Sequence, residues 1–199
     1  PFPKAICTSV NHVVCHGIPD HRKLEEGDTL NIDAAVIYNG WYGDSGRMYW
    51  VGENIPQKAK RLTQATYEAM MLGIAEVKPG ARLSAIGKAI QQHAQKYGYS
   101  VVRDFCGHGV GQEFHEPPNI LHYYDPKYDM ELKEGMIFTV EPMVNAGRFE
   151  VKVLQDGWTA VTKDRSLSAQ FEHTIGVTAT GHEIFTLSPK GLHYPPYII

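Results

Sequence analysis

Residues 29–48 read TLNIDAAVIYNGWYGDSGRM, and this stretch decides the fold of the chain around it. The segment 29–38 is rich in residues that favour β-strands, and Asn39-Gly40 is the strongest short-range signal for a two-residue hairpin turn. We therefore predict a strand over 29–38 that returns in a second strand from Trp41 to about Val51.

The turn also predicts which residues face each other. It pairs Asp33 with Gly46 and Ala35 with Asp44, so the two aspartates are diagonal neighbours on one face, roughly 7–8 Å apart at the backbone. That separation suits two carboxylates that converge on metal ions, and Gly46 leaves the space opposite Asp33 open. The alternative is an acidic pair on a solvated outer face. It is disfavoured because LNIDAAV reads as a buried strand, where a carboxylate must be paired, protonated or metal-bound.

Two helices are predicted after the hairpin. Apolar residues recur at helical spacing over 58–76, where Pro79-Gly80 follows as a stop, and again over 84–97, where Gly98 occupies the C-cap position. The apolar positions are Leu62, Ala65, Ala69 and Leu72 in the first helix and Ile86, Ile90 and Ala94 in the second.

An internal repeat relates two distant segments of the chain. Residues 24–36 (LEEGDTLNIDAAV) align without gaps on residues 132–144 (LKEGMIFTVEPMV), and Asp33 falls on Glu141. An apolar strand after Leu-x-Glu-Gly is a common pattern, so chance is an open alternative. The matched carboxylates favour a duplicated α/β fold with two halves that face each other across one site.

Composition narrows the function classes. The 199 residues are 43% hydrophobic and carry a net charge of −3, which disfavours binding to nucleic acid or to an anionic membrane. Three cysteines without a C-x-x-C pair argue against a disulfide framework or a zinc knuckle and favour a reducing cytoplasm. No run of residues resembles a signal peptide or a membrane span.

Two histidines stand out among ten. GHGVG at 107–111 lacks the G-x-G-x-x-G spacing of a phosphate loop, but glycines on both sides of His108 would let a ligand approach its imidazole closely. His115 follows in FHEPP. An ordinary core or surface role is expected for His12, His21, His93, His122, His182 and His193.

Two glutamates complete a candidate metal site. Glu141 lies in FTVEPMV and Glu172 in SAQFEHTI, apolar stretches in which an unpaired glutamate would be costly. With Asp33, Asp44 and His108 they form an oxygen and nitrogen donor set without sulfur, which suits manganese, iron, cobalt or zinc. Two divalent ions would offset the repulsion among four carboxylates.

These motifs together resemble those of the type I methionine aminopeptidases. The resemblance is carried by CTSVNHVVCHGIPD, NIDAAVIYNGWYGDSGRM, CGHGVG-x-x-FHEPP, TVEPMV and DGWTAVTKDRSLSAQFEHT, in the family's order and spacing from Phe2 to about Thr186. The interval from Glu141 to Glu172 is too short for the insertion of the type II enzymes.

The resemblance implies the pita-bread fold, with antiparallel sheet flanked by helices in two pseudo-twofold-related halves, and it implies residue roles. Asp33 would chelate one divalent metal, Asp44 and Glu172 would bridge two, and His108 and Glu141 would complete the other. The remaining roles are contact with the scissile peptide for His16 and His115, the methionine pocket for Phe2, Cys7, Phe114 and Trp158, and places near the metals for Gln170 and His173.

The implied reaction is removal of the initiator methionine from peptides and nascent proteins with a small second residue. A metal-bridging hydroxide would attack the first peptide carbonyl, with Glu141 moving protons. The expected form is a cytoplasmic monomer that acts on peptide or nascent-protein N-termini; ribosome association stays open. We expect one catalytic domain over 1–199 without the helical segment that usually precedes the position of Phe2. The pocket wall near Phe2 and Cys7 would then be incomplete, or a separate chain would fill it.

Three alternatives remain at this stage. A proline-specific aminopeptidase or prolidase on the same fold would usually carry a large N-terminal domain. A metal-free binding homologue would have lost ligands, whereas all five are present. A carboxylate-pair glycosidase would need no His108 and would survive a chelator.

Overall fold

The fold is given by a computed structural model, which describes residues 1–197. Its elements in chain order are β1 (Cys7–Val10), β2 (Val13–Cys15), β3 (Thr29–Tyr38), β4 (Trp41–Trp50), α1 (Gln57–Ala75), α2 (Leu83–Lys96), β5 (Ser100–Val101), β6 (Gly107–Gly109), β7 (Glu116–Ile120), β8 (Ile137–Val140), β9 (Met143–Asn145), β10 (Val151–Val153), β11 (Ala160–Thr162), β12 (Ser168–Gln170), β13 (His173–Val177) and β14 (His182–Ile184).

The predicted hairpin is confirmed in its strands, turn and register. Asn39 and Gly40 have φ angles of 50° and 82°, the left-handed values that a type I′ turn requires. Asp33 lies opposite Gly46, and Ala35 opposite Asp44. The turn chemistry therefore fixes the relative position of the two aspartates.

The prediction of a buried strand around Asp33 is only partly right. Strand β3 is buried at its first three residues, but its last three, Val36 to Tyr38, are exposed. The reason is that β1 accompanies β3 only as far as the pair Cys7–Asp33. Beyond that pair the hairpin of β3 and β4 continues as a two-stranded tip.

Both helices form within one residue of their predicted bounds and pack against the sheets, with Ile86, Ile90 and Ala94 fully buried. Leu72 was wrongly placed on the buried face of α1, since it is 44% exposed while Gly73 is buried. Consecutive helical residues are rotated by about 100°, and that step carries the Leu72 side chain away from the core.

The internal repeat is visible in the backbone. Gly27 and Gly135 occupy equivalent turns with φ angles of 88° and 87°. Their N–H groups donate to Val51 and Val177 respectively, each at 2.9 Å. The first residues of the two copies differ in exposure: Leu24 is exposed, whereas its counterpart Leu132 is buried. The duplication thus sets corresponding strands in two halves.

The strands form antiparallel sheets arranged as β1-β3-β4, β10-β11-β2, β12-β9-β5 and β14-β13-β8-β6-β7. One large apolar core lies between these sheets and the two helices and includes Leu62, Ile90, Phe138 and Phe171. This mixed α/β arrangement is the pita-bread fold. Among the described residues, no helix is both long and apolar enough to cross a membrane.

The segment after β14 packs against the back of β4. Arg47 donates to the carbonyl oxygens of Thr186 and Leu192, and the Tyr197 hydroxyl donates to the carbonyl of Met48. The Tyr194 ring stacks on Phe171. Sequence patterns gave no role for residues 191–199; Ile198 and Ile199 lie outside the described residues.

A hydrogen-bonded cluster joins the two helices and predicts a pH-dependent contribution to stability. Burial raises the pKa of Glu68, but hydrogen bonds from Gln64, Tyr97 and His93 outweigh it and hold the pKa below its ordinary value of 4.5. A carboxyl with a depressed folded-state pKa stabilises the protein above its unfolded pKa and ceases to do so as the pH falls through the folded value.

We therefore expect Glu68→Gln to lower the free energy of unfolding by about 1 kcal/mol at pH 7, since the carboxyl is partly exposed. The difference from wild type should shrink below pH 4.5. Urea unfolding from pH 3 to 7 measures both, with Glu134→Gln, an exposed turn residue, as the control. A difference that is independent of pH would contradict the prediction.

Candidate metal centre

A cavity of about 930 Å³ lies between the two halves of the fold. Every residue predicted for the metal, catalytic and substrate sites lines it, and these are Phe2, Cys7, His16, Asp33, Asp44, His108, Phe114, His115, Glu141, Trp158 and Glu172. They come from strands and loops spread over most of the chain. The tertiary structure thus brings the predicted set into one place.

The floor of the cavity is the junction between the two halves. Glu172 lies in the break between β12 and β13, where its N–H donates to the carbonyl of Gly46 at 2.8 Å. A Cβ at Gly46 would lie 3.3 Å from Glu172 Oε2. The space opposite Asp33 is therefore not open, as the hairpin alone suggested, but is filled by the Glu172 side chain. Thr174 Oγ1 reinforces the junction by donating to the Asp44 carbonyl.

The imidazole of His108 is held with Nε2 directed at two carboxylates. Nδ1 lies 2.9 Å from the carbonyl oxygen of Gly109, so it carries a hydrogen, and in the neutral ring Nε2 is the nitrogen with a lone pair to offer a cation. Nε2 is 3.6 Å from both Asp44 Oδ2 and Glu141 Oε1, which is too far for a good hydrogen bond. A lone pair facing two carboxylate oxygens at this distance is suited to a shared cation.

The carboxylate of Glu141 is fixed by its neighbours. Thr139 Oγ1 donates to Oε1 at 2.7 Å and accepts the N–H of His108 at 3.0 Å. Gln170 Nε2 donates to Oε2 at 3.4 Å. The backbone N–H of Glu141 donates to His122 Nε2 at 3.1 Å. Glu141 is thus oriented both through its carboxylate and through its backbone.

Three features of the site show that its donor atoms suit divalent cations. One ligand atom each from Asp44, His108 and Glu172 lie within 4.8 Å of one another, and all three residues are buried. Asp44 Oδ1 is buried with no hydrogen-bond partner among the described residues. Oxygen and nitrogen donors without thiolate suit first-row divalent ions.

The pKa values of the buried carboxyl groups also favour a site for divalent cations. Burial, reinforced by the charge of Asp44, raises the pKa of Asp33 to about 7. Burial also raises the pKa of Glu141 to about 8, although His108 and Thr139 lower it in part. Burial and the charge of Glu141 raise the pKa of Glu172 well above its ordinary value. Divalent cations would remove the repulsion that holds protons on these groups.

Two further histidines line the cavity. His16 has a φ angle of 55°, a left-handed conformation that is uncommon outside glycine, and its ring packs edge-on against Phe105 and Trp158. The His115 ring lies 4.3 Å from that of His108. Burial lowers the pKa of both His16 and His115, so each is a neutral hydrogen-bonding group near pH 7.

The side chains predicted for the methionine pocket form an apolar part of the cavity lining, called the apolar end below. The rings of Phe2 and Trp158 meet edge to face at 5.4 Å. Burial and the charges of Asp33 and Asp44 raise the pKa of the Cys7 thiol to about 12, which keeps it protonated. Cys7 therefore acts as part of an apolar wall and not as a nucleophile.

Some placements differ from the sequence-based expectations. His173 does not line the cavity, and its Nδ1 is hydrogen-bonded to Thr186 Oγ1 at 2.7 Å. Successive side chains of an extended chain point to opposite faces, and the side chain that points into the cavity is that of Glu172. Thr139 was missed, although it lies two residues before Glu141 and so shares its face. His122 was assigned an ordinary role, and no local sequence pattern places it beneath Glu141.

Residues 1–179 match metallopeptidase family M24. A methionine aminopeptidase of Rickettsia prowazekii is 61% identical over 197 residues, which cover 98% of this chain and 76% of that protein. A crystal structure of the methionine aminopeptidase from the same organism has a TM-score of 0.91 at 60% identity and is matched over 75% of its length by 94% of this chain.

A more distant neighbour bears on the prolidase alternative. The prolidase of Pyrococcus furiosus is 25% identical with a TM-score of 0.73, and although 93% of this chain is covered, only 49% of that protein is matched. The similarity to the methionine aminopeptidases is greater in identity, in TM-score and in the share of the relative's length.

The contact between His122 and Glu141 generates a prediction about stability. His122 is fully buried and its pKa is lowered to about 3 by burial, so the ring is neutral and Nε2 can accept the Glu141 N–H. His122→Leu leaves that buried N–H without an acceptor and should lower the free energy of unfolding by about 1–3 kcal/mol.

His122→Gln is the matched control, because its side-chain oxygen can accept the same hydrogen bond. We expect it to recover most of the loss in urea unfolding at pH 7 with a chelator present. Equal destabilisation by leucine and glutamine would show that the hydrogen bond does not matter and that only ring packing does.

Proposed function

The chain belongs to metallopeptidase family M24, and from that premise we propose that it is a methionine aminopeptidase. It removes the N-terminal methionine from peptides and nascent proteins and prefers a small second residue. The observation that carries this function is the high identity to methionine aminopeptidases over nearly the whole chain. The cavity supports it, because a carboxylate-rich floor adjoins an apolar end.

The metal centre that we propose uses five residues. Asp33 would hold one divalent ion, Asp44 and Glu172 would bridge two, and His108 and Glu141 would complete the second. The ions could be cobalt, manganese, iron or zinc, since the donor set suits each of them. When bound, they would supply Lewis-acid activation of the peptide carbonyl and of water.

The protein's own residues would orient the substrate and move its protons. His16 and His115 are neutral and can donate hydrogen bonds to the scissile peptide, which stabilises negative charge on its carbonyl oxygen as that charge develops. Glu141 would transfer a proton to the leaving amine, because Thr139 and Gln170 hold its carboxylate in a fixed orientation at the cavity. Because the carboxylate floor closes one end, a free substrate α-amine would lie there.

The apolar end of the cavity would accept the methionine side chain. Phe2, Cys7, Phe114 and Trp158 offer aromatic faces and a protonated thiol, and a thioether packs favourably against both. A charged side chain would lose its hydration there without gaining a partner. The pocket composition therefore favours methionine over lysine.

Several broader statements belong to the same proposal. Residues 1–199 would act as one catalytic domain and as a monomer in the cytoplasm, on peptide or nascent-protein N-termini and with no nucleic acid partner recognised by sequence. The prolidase-like alternative is less well supported, and the metal-free alternative is disfavoured because all five proposed ligands are present.

Substrate selection tests the pocket. Competing peptides that begin with Met, Leu, Lys or Pro and share the sequence that follows should be cleaved with Met preferred, because the pocket is apolar and accepts sulfur. The ratios of kcat/KM, measured by mass spectrometry of the mixture, give the order. A preference for Pro or Lys would contradict the assignment.

Metal removal and two substitutions test the proposed centre. Chelation should abolish hydrolysis of Met-Ala-Ser, and a divalent transition metal should restore it.

Glu141→Gln should keep the fold but lower kcat by roughly 10²–10⁴-fold, as expected for loss of a general acid–base group, and should weaken metal binding in calorimetry. Asp44→Asn should weaken binding of both ions, because it removes a bridging carboxylate. Metal-free protein that cleaved the peptide at the untreated rate would overturn the mechanism.

A further inference from the structure

The tip of the β3–β4 hairpin carries apolar side chains that the fold leaves exposed. Beyond Asp33 this hairpin has no third strand among the described residues, and Val36, Ile37, Tyr38 and Trp41 are all more than half exposed. Exposed apolar groups that are contiguous on a surface commonly mark a binding site. The two faces of the tip differ in what they adjoin.

One face of the tip is continuous with the cavity. Side chains alternate along a strand, so Asp33, Ala35 and Ile37 share a face, and their cross-strand partners Asp44 and Tyr42 share it too. Asp33, Ala35 and Asp44 line the cavity. Ile37 and Tyr42 therefore continue the cavity wall outward, whereas Val36 and Tyr38 point to the other side.

This outward extension is held in a fixed position relative to the cavity. The Tyr42 ring stacks on Phe114, with ring centres 5.4 Å apart and planes 17° from parallel, and Phe114 itself lines the cavity. The Tyr42 N–H donates to the Gly111 carbonyl at 2.8 Å. The tip is thus tied to the loop that follows His108, and binding there would require little ordering of the protein.

We propose that Ile37 and Tyr42 form a ledge that binds the third to fifth residues of the substrate peptide and favours apolar side chains at those positions. The inference rests on the proposed aminopeptidase function, which places the peptide's first residue in the cavity. Ile37 lies four residues beyond Asp33 and so about 13 Å along the strand, a distance that an extended peptide covers in about four residues. The peptide would leave the cavity along this face.

The ledge is tested with two pentapeptides, Met-Ala-Leu-Leu-Phe and Met-Ala-Ser-Ser-Ser. Wild type should cleave the apolar peptide with a kcat/KM roughly 3- to 10-fold higher than that for the serine peptide. Partial burial of one or two aliphatic side chains against the ledge would account for a gain of this size. The gain should appear mainly as a lower KM, since the contact is equally strong before and during the reaction. Ile37→Ser should bring the ratio of the two kcat/KM values close to one.

Tyr38→Ser is the matched control, since residue 38 is 77% exposed on the opposite face of the same tip and Ile37 is 62% exposed. It should keep the wild-type ratio. Equal melting temperatures of the two variants would show that both keep the fold. The ledge is overturned if Ile37→Ser keeps the wild-type preference, if both variants lose it, or if wild type has none. If wild type cleaved neither pentapeptide and also failed to cleave Met-Ala-Ser, the proposed function itself would be overturned.

Discussion

Four carboxylates lie together in one largely buried cavity, and the rest of the structure depends on how their charge is managed. Asp33, Asp44, Glu141 and Glu172 cannot all ionise at neutral pH without counter-charge, which is why burial and mutual repulsion raise the pKa values of three of them. His108 faces two of them, with Nε2 3.6 Å from Asp44 and from Glu141. Such a site is costly to a folded protein unless divalent cations occupy it, and that cost is itself a reason to assign the cavity to metal chemistry.

The duplicated architecture is what makes such a site possible. Each half contributes carboxylates from a corresponding strand, so neither half alone has to bury all of the charge. The halves meet at the backbone pair of Gly46 and Glu172, where the absence of a side chain on Gly46 allows the Glu172 carboxylate to lie beside the hairpin. A side chain at position 46 would crowd Glu172, because a Cβ there would lie 3.3 Å from Oε2.

The supporting contacts orient the metal ligands as well as stabilising the fold. Thr139 connects the His108 backbone to the Glu141 carboxylate, and His122 holds the Glu141 backbone where the strand is interrupted before Pro142. Groups that orient metal ligands in this way keep lone pairs directed at one point in space. The rigid hairpin extends the same principle outward, since stacking of Tyr42 on Phe114 fixes the cavity mouth relative to its floor.

The sequence by itself determined the local geometry. Asn39-Gly40 set the hairpin register and with it the spacing of Asp33 and Asp44, helical periodicity set both helices within one residue, and the repeat of 24–36 at 132–144 indicated two matching halves. These features depend on interactions between residues close in the chain or on a pattern that recurs along it. The glycines around His108 and the apolar settings of Glu141 and Glu172 indicated the remaining ligands, and the family resemblance then supplied the role of each.

Only the tertiary structure decided what depends on distant residues meeting. Leu72 is exposed because the direction of the buried face of α1 is set by what packs on it, and Val36 to Tyr38 are exposed because β1 ends opposite Asp33. His122 reaches Glu141, and Glu172 fills the space opposite Asp33, through contacts between residues far apart in sequence. Propensity and periodicity describe a residue's near neighbours along the chain, whereas these contacts are fixed by the way the sheets pack.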